Sequence, residues 1–143
     1  MTDPDETAPE PLLVPRDGVP DVIADAQTLT RAVDAFAHGS GPVAVDAERA
    51  SGFRYGQRAY LVQLRRAGAG TALIDPVPLD DLSDLSGALA GTEWVLHAAS
   101  QDLPCLAELG MHPDALFDTE LAGRLLGLAR VGLGPIVESE LGL

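Results

Sequence analysis

The stretch Val43–Leu64, VAVDAERASGFRYGQRAYLVQL, carries the clearest fold signal in the chain. An apolar run ends in two acids one residue apart, Asp46 and Glu48, and a second strand-like run, YLVQL, follows an intervening loop. Because side chains alternate between the two faces of a strand, Asp46 and Glu48 are predicted to point the same way. Two carboxylates that share one spot repel each other unless a cation lies between them. The stretch therefore predicts two strands and a candidate cation site, although a polar strand end at the surface would give the same pattern.

The strand and helix patterns around this stretch indicate an α/β fold. Strands are predicted at residues 21–24, 43–48, 59–65, 71–75, 93–97 and 117–118. The first helix is predicted from Asp25 or Thr28 to about Ala37, and two more over residues 79–90 and 100–109. A fourth helix follows the last strand and ends at Leu126, and a fifth runs from Leu133 to Leu141. Short turns with glycine join the second, third and fourth strands, which favours an antiparallel meander. The helices and the strand that follow predict a mixed sheet flanked by helices.

The bulk properties indicate one soluble domain. The chain has 143 residues, and no apolar run approaches the roughly 20 residues that would span a bilayer. Residues 1–20 contain five prolines and a majority of acids among their charged residues, so we expect a disordered acidic tail before a domain over residues 21–143. Because the N-terminus is acidic rather than basic, we expect a cytoplasmic protein without a membrane partner. The single cysteine, Cys105, excludes an internal disulfide and is expected in the core.

The charge distribution is uneven. The formal net charge is −13, which argues against simple electrostatic binding to nucleic acid but not against a nuclease whose metal ions supply positive charge. Five arginines nevertheless cluster beside the acidic pair, at positions 49, 54, 58, 65 and 66. A nucleic acid could be bound here, through its phosphate backbone or by stacking on a base, by Arg54, Tyr55 and Arg58. A solvated arginine-rich loop is the alternative interpretation.

A second group of chemistry-bearing residues lies in residues 94–110, WVLHAASQDLPCLAELG. Ser100 is a plausible N-cap, and Asp102 falls in the first predicted helical turn. There an acid gains about 0.3–1 kcal/mol from the helix dipole, so a structural role is one interpretation. The other is that Asp102 reaches the sheet edge that carries Asp46 and Glu48. Three converging carboxylates would suit Mg²⁺ or Mn²⁺.

Four segments in order, VAVDAE, YLVQL, LHAASQDL and FDTELAGRLLGL, resemble the ribonuclease D group. This group belongs to the DEDD superfamily of 3′-to-5′ exonucleases, which has an RNase H-like fold. The first motif of the family, DxE, matches at Asp46 and Glu48. The second matches at His97, Ala98 and Asp102. A segment with the pattern DT-x-x-A-x-x-L-x-G matches at Asp118, Thr119, Ala122, Leu125 and Gly127.

The resemblance implies hydrolysis of phosphodiester bonds at RNA 3′ ends, with structured, tRNA-like precursors as substrates. Two ions, Mg²⁺ or Mn²⁺, would lie about 3.5–4 Å apart. By the family pattern Asp46 would bridge both ions, Glu48 would bind the ion on the nucleophile side, and Asp102 would bind the second. Ala47 would offer its backbone to the terminal nucleotide. His97 would line the pocket, or would be a strand-end histidine satisfied by hydrogen bonds.

The resemblance breaks at the third family motif, a Tyr or His four residues before a final Asp. No tyrosine follows Asp102, and His112 has no acid four residues later. We therefore expect an exonuclease domain that is incomplete at its C-terminus, most simply a fragment. A non-catalytic nucleic-acid-binding module of the same fold is the alternative. A divalent-metal phosphatase on a related sheet is a third interpretation.

Overall fold

The computed structural model describes residues 11–49 and 58–143. Within these residues the strands are β1 (Val22–Ile23), β2 (Ser40–Arg49), β3 (Ala59–Ala67), β4 (Gly70–Ile74), β5 (Glu93–Leu96) and β6 (Ala115–Asp118). The helices are α1 (Ala26–Ala37), α2 (Ser83–Ala88), α3 (Leu103–Glu108), α4 (Thr119–Leu125) and α5 (Leu133–Leu141), with a 3₁₀ turn at Ala99–Gln101.

The strands form one mixed sheet in the order β1-β4-β3-β2-β5-β6. The β2–β3 and β3–β4 pairs are antiparallel, whereas β1–β4, β2–β5 and β5–β6 are parallel. The predicted meander followed by a parallel strand is therefore confirmed. In this order the carboxyl ends of β2 and β5, which carry or precede the candidate acids, lie side by side.

The core lies on one face of the sheet, because the strands alternate buried and open positions. On β2, Val43, Val45 and Ala47 are buried, and the residues between them are exposed. Helices α1, α2 and α3 cover the buried face with apolar side chains, notably Phe36, Leu85 and Leu106. The opposite face of β2 is thereby left for polar groups.

Two predicted helices begin later than expected. The helix predicted over residues 79–90 forms only at Ser83–Ala88, because a turn closed by hydrogen bonds to the Pro76 carbonyl precedes it and Asp80 has a φ of 60°. The helix predicted over residues 100–109 is a 3₁₀ turn followed by α3. Ser100 lies inside that turn and does not cap a helix, so its predicted N-cap role is wrong.

The division of the chain by its internal contacts gives two compact units. The larger unit is Pro20–Asp118, and the smaller one combines Thr119–Leu143 with the N-terminal segment up to Val19. Within the predicted tail, residues 11–20 form no helix or strand, while residues 1–10 lie outside the described part. Among the helices that the structure describes, none is long and apolar enough to cross a bilayer.

Candidate active site

Strand β2 presents two of the three predicted acids on the open face of the sheet. Asp46 and Glu48 are exposed and alternate with buried Val45 and Ala47, as the strand period requires. Asp46 pairs in register with Gln63 of β3, and the Gln63 side-chain amide donates to Asp46 Oδ2 over 2.9 Å. The direction of the Asp46 carboxylate is thus fixed by a neighbour on the adjacent strand.

The third acid, Asp102, follows the 3₁₀ turn at the end of β5 and immediately precedes α3. Although it occupies the N-cap position of α3, its carboxylate makes no capping hydrogen bond to the described helix. Asp102 is only 7% exposed. Asp102 therefore does not cap α3 through its side chain, while its predicted interaction with the helix dipole and its predicted place in the site both stay predictions.

The environment of Asp102 raises the pKa of its carboxyl group from the ordinary value of 3.8 to about 6. Burial is the largest cause, and the negative charge of Asp46 is the second. Arg49 opposes the shift, and Glu48 adds to it. The charges of Asp46 and Glu48 therefore act on the Asp102 carboxyl group.

The edge of the sheet opens between β2 and β5 at this point. The parallel ladder between the two strands consists of Val43 with Trp94 and Ala44 with Val95. Residues 45–49 of β2 continue beyond this ladder and carry the acidic pair. A site at the carboxyl ends of neighbouring strands with diverging connections is where α/β sheets place ligands.

The structure brings the carboxylates near one another but does not close them into a ligand shell. In residues 11–49 and 58–143 no group of three or more His, Cys, Asp and Glu side chains is arranged to hold a metal ion. The chemistry of the donor set still fits a hard divalent cation, since its ligands would be carboxylate oxygens. Burial is the main cause of the raised pKa of Asp102, and a bound cation would relieve the smaller part that comes from the charges of Asp46 and Glu48.

The other predicted contact residues occupy different surroundings. The Ala47 side chain is buried on the face opposite the acids, so only its backbone could contact a substrate. His97 is half-buried at the end of β5. Arg54 and Tyr55 lie outside the described residues. Cys105 is buried, its thiol donates to the Asp102 carbonyl over 3.0 Å, and burial raises the pKa of the thiol, in keeping with the predicted core position.

Three of the clustered arginines have structural partners. The Arg66 guanidinium donates to the carbonyls of Phe36 and Gly41 over 2.6 and 3.1 Å and thus ties the end of α1 to the sheet. Arg65 donates to the Thr71 hydroxyl. Arg58 lies 3.7 Å from an Asp80 carboxylate oxygen. The basic cluster is therefore partly a set of fold contacts rather than a single substrate-facing patch.

Two residues around the acids were not singled out as site residues by the sequence. Gln63 could be found only from the β2–β3 register, which the sequence does not fix. Asp118 ends β6, and its carboxylate accepts hydrogen bonds from the amides of Ala98 and Ala99. The sequence signal for Asp118 was its place in the FDT segment, but this gave no role.

A family model described as 3′-5′ exonuclease matches residues 20–143, which includes every described site residue. The chain belongs to this exonuclease family. The family consists of hydrolytic nucleases, so the enzyme class predicted from the motifs is confirmed. Ribonuclease D of Sphingobium indicum is 35% identical over 127 residues, which are 85% of this chain and 32% of that relative.

Solved structures agree with a ribonuclease D-type exonuclease domain. Escherichia coli RNase D superimposes with a TM-score of 0.74 at 29% identity and covers 86% of this chain and 33% of its own. A protein from Bifidobacterium adolescentis gives a TM-score of 0.88 at 48% identity, covering 92% of this chain and 33% of its own. The predicted RNase H-like fold is confirmed. The chain spans about a third of the length of these relatives.

Proposed function

We propose that this exonuclease-family chain carries the acidic site of a metal-dependent 3′-to-5′ exoribonuclease of the ribonuclease D type, acting on RNA 3′ ends in the cytoplasm. The observation that carries the proposal is Asp102, a buried carboxyl whose pKa is raised to about 6 by burial and by Asp46 and Glu48. All three acids occupy the matching positions of the first two family motifs. In this proposal residues 21–143 belong to the exonuclease domain, and residues 1–20 form an acidic tail outside it.

The proposed cofactor is a pair of divalent ions, Mg²⁺ or Mn²⁺, held by Asp46, Glu48 and Asp102. When bound, the ions would supply Lewis-acid activation of the attacking water and stabilisation of the charge on the leaving 3′ oxygen. The protein's own contribution is to hold the carboxylates in place before the ions arrive. Gln63 does so for Asp46 through its 2.9 Å hydrogen bond, and the 3₁₀ turn before α3 does so for Asp102.

The proposed substrate contacts lie around the open edge between β2 and β5. The backbone of Ala47 belongs to residues 45–49, which run past the β5 ladder and can meet the terminal nucleotide. His97, at the end of β5, is proposed to line the same pocket. Arg54 is proposed to contact the phosphate backbone on chemical grounds, since arginine forms paired hydrogen bonds with phosphate oxygens.

Single-stranded RNA carrying a 5′ label tests the function directly. We would incubate it with the chain and Mg²⁺ or Mn²⁺, and compare Asp46→Asn with Asp21→Asn, which makes the same charge change at an exposed position. The expected result is a ladder shortened from the 3′ end, dependent on metal, lost in Asp46→Asn and kept in Asp21→Asn. DNA of the same sequence reports the sugar preference. A ladder that persists in Asp46→Asn would reject the assignment of the site.

A non-catalytic nucleic-acid-binding module is the second candidate. One observation favours it: in the residues that the structure describes, the acids do not close into a metal-holding group. This candidate predicts no ladder but metal-dependent binding of RNA that weakens in Asp46→Asn. If the chain neither cuts nor binds RNA, both candidates are rejected.

A further inference from the structure

The Asp118 carboxylate, at the end of β6, accepts two backbone hydrogen bonds. Its Oδ1 accepts the Ala98 amide over 3.1 Å, and its Oδ2 accepts the Ala99 amide over 2.9 Å. The residue is half-buried, and it is placed beside the turn because β6 pairs in parallel with β5, with Asp118 opposite Leu96. Both carboxylate oxygens are therefore directed at the backbone that follows β5.

The backbone that Asp118 holds has a conformation that alanine rarely adopts. Ala98 has φ 55° and ψ 52°, in the left-handed region. This region is sterically disfavoured for any residue with a Cβ and persists where surrounding contacts enforce it. The two charge-assisted hydrogen bonds that Asp118 accepts from consecutive amides provide such an enforcement.

The enforced turn leads directly to Asp102. The Gln101 amide donates to the Ala98 carbonyl over 3.0 Å, and the Asp102 amide donates to the Ala99 carbonyl over 3.1 Å. These two bonds form the 3₁₀ turn that places Asp102 at the start of α3. The position of Asp102 relative to β2 is therefore set through residues that Asp118 fixes.

We infer that Asp118 is a positioning residue for the acidic site: it holds the Ala98–Ala99 turn so that Asp102 stands beside Asp46 and Glu48 for cation binding. The inference rests on the proposed function, because positioning matters only if these acids bind a cation. Asp118 acts through the backbone, with both oxygens on amides, rather than as a further ligand. Residues outside the ligand set that orient metal ligands change metal affinity by about 10–100-fold when they are lost.

A matched control lies at the opposite end of the same two strands. Asp114 immediately precedes β6, and its Oδ2 accepts the amide of Gly91, shortly before β5, over 2.8 Å. Asp114→Ala thus removes the same kind of carboxylate–amide bond from the same strand pair, but away from the turn. Asp118→Asn is a milder second variant, because one acceptor oxygen becomes an amide group that cannot accept.

The experiment measures Mn²⁺ affinity by electron paramagnetic resonance, counts only the binding that Asp46→Asn abolishes, and normalises each variant for its folded fraction. We expect Asp118→Ala to weaken this binding at least about tenfold, Asp118→Asn to weaken it less, and Asp114→Ala to leave it unchanged. In metal-free, ¹⁵N-labelled protein, Asp118→Ala should move the amide resonances of Gln101 and Asp102, and Asp114→Ala should not.

Unchanged Mn²⁺ affinity in Asp118→Ala would overturn the inference while the proposed function stands. Equal weakening in Asp118→Ala and Asp114→Ala would also overturn it, because the effect would then be one of general stability. If the wild-type chain shows no Mn²⁺ binding that depends on Asp46, the proposed function itself fails, and the positioning role fails with it.

Discussion

Both burial and the neighbouring acids oppose ionisation of the Asp102 carboxyl group. Its pKa is raised to about 6, so at neutral pH the chain must keep an ionised acid beside two others. Acids in functional sites commonly show shifts of this kind, because a site is built for a ligand and not for the stability of the empty protein. We therefore expect ionised Asp102 to lower the free energy of unfolding of the metal-free protein.

The first prediction is that Asp102→Asn stabilises the metal-free protein at neutral pH. Because the folded pKa lies above the unfolded value of 3.8, the folded state retains a proton that the unfolded chain releases between that value and about 6. The contribution of Asp102 to wild-type stability should thus fall as the pH rises through this window and level off above it. Asparagine mimics the protonated acid, so the variant should lack this fall and exceed the wild type at pH 7 by about 1–2 kcal/mol, after allowance for solvent screening.

Urea unfolding at a series of pH values from about 4 to about 8 provides the measurement. Asp21→Asn is the control, since it removes the same charge from an exposed position. A pH profile of Asp102→Asn parallel to that of the wild type would show that Asp102 does not titrate in this window.

Gln63 supports the second prediction at this scale. Its side-chain amide is the hydrogen-bond donor to Asp46 Oδ2, and β3 holds it in register opposite Asp46. Gln63→Met keeps the length of the side chain but removes the donor, so Asp46 should lose its fixed direction. We expect divalent-cation affinity to fall about tenfold. Gln27→Met, at an exposed position on α1, is the control, and equal affinities in the two variants would contradict a supporting role for Gln63.

At the scale of elements, helix α1 shows how local signals define a boundary. The Asp25 carboxylate accepts the Thr28 amide over 2.9 Å and the Thr28 hydroxyl over 2.7 Å, and these bonds hold the pKa of Asp25 below its ordinary value. An N-cap bond satisfies a backbone donor that the helix itself leaves free. Of the two predicted starts of α1, Asp25 is confirmed as the N-cap and Thr28 lies inside the helix. The start could be predicted because the interaction that sets it spans only three residues.

The third prediction follows from this cap. Asp25→Ala should lower the melting temperature by a few degrees at pH 7, whereas Asp25→Ser should recover part of the loss because serine also caps helices. Since the folded pKa of Asp25 is depressed, the stabilisation is present above the unfolded pKa and is lost as the pH falls through the folded value. The gap between wild type and Asp25→Ala in thermal unfolding should therefore close in acid. A gap that stays constant with pH would contradict the charged cap.

The start of α3 shows why other helix boundaries could not be predicted from the sequence. Ser100 resembled an N-cap, yet the chain enters a 3₁₀ turn because Asp118, some 20 residues away, fixes the amides of Ala98 and Ala99. The helix before β5 is likewise shortened by the turn at Asp80. Strand periodicity predicted the sheet and the shared face of Asp46 and Glu48, since it is a local property. The Gln63 and Asp118 contacts depend on strand register, which emerges only when the chain folds.

For the whole molecule, the large negative net charge must be taken into account in any measurement of metal binding. The formal net charge is −13 over 143 residues, so divalent ions will gather around the protein without a specific site. Such general attraction is screened within about 10 Å at 0.1 M salt, whereas binding between carboxylates at a defined site is screened much less. A specific site should therefore be distinguished by its dependence on individual acids at fixed ionic strength.

The last prediction is that Mg²⁺ stabilises the whole chain through the acidic site. An ion that binds only the folded state raises the free energy of unfolding by about 2.7 kcal/mol when its free concentration is 100 times the dissociation constant. Wild type and Asp21→Asn should gain this stability in urea unfolding with Mg²⁺, relative to NaCl of equal ionic strength, and Asp46→Asn should not. Asp102→Asn should be more stable than wild type without Mg²⁺ but should gain little from it, so the order of the two proteins should reverse as Mg²⁺ is raised. An equal gain in all four proteins would mean that Mg²⁺ acts only on the net charge, and the cation site would then be rejected.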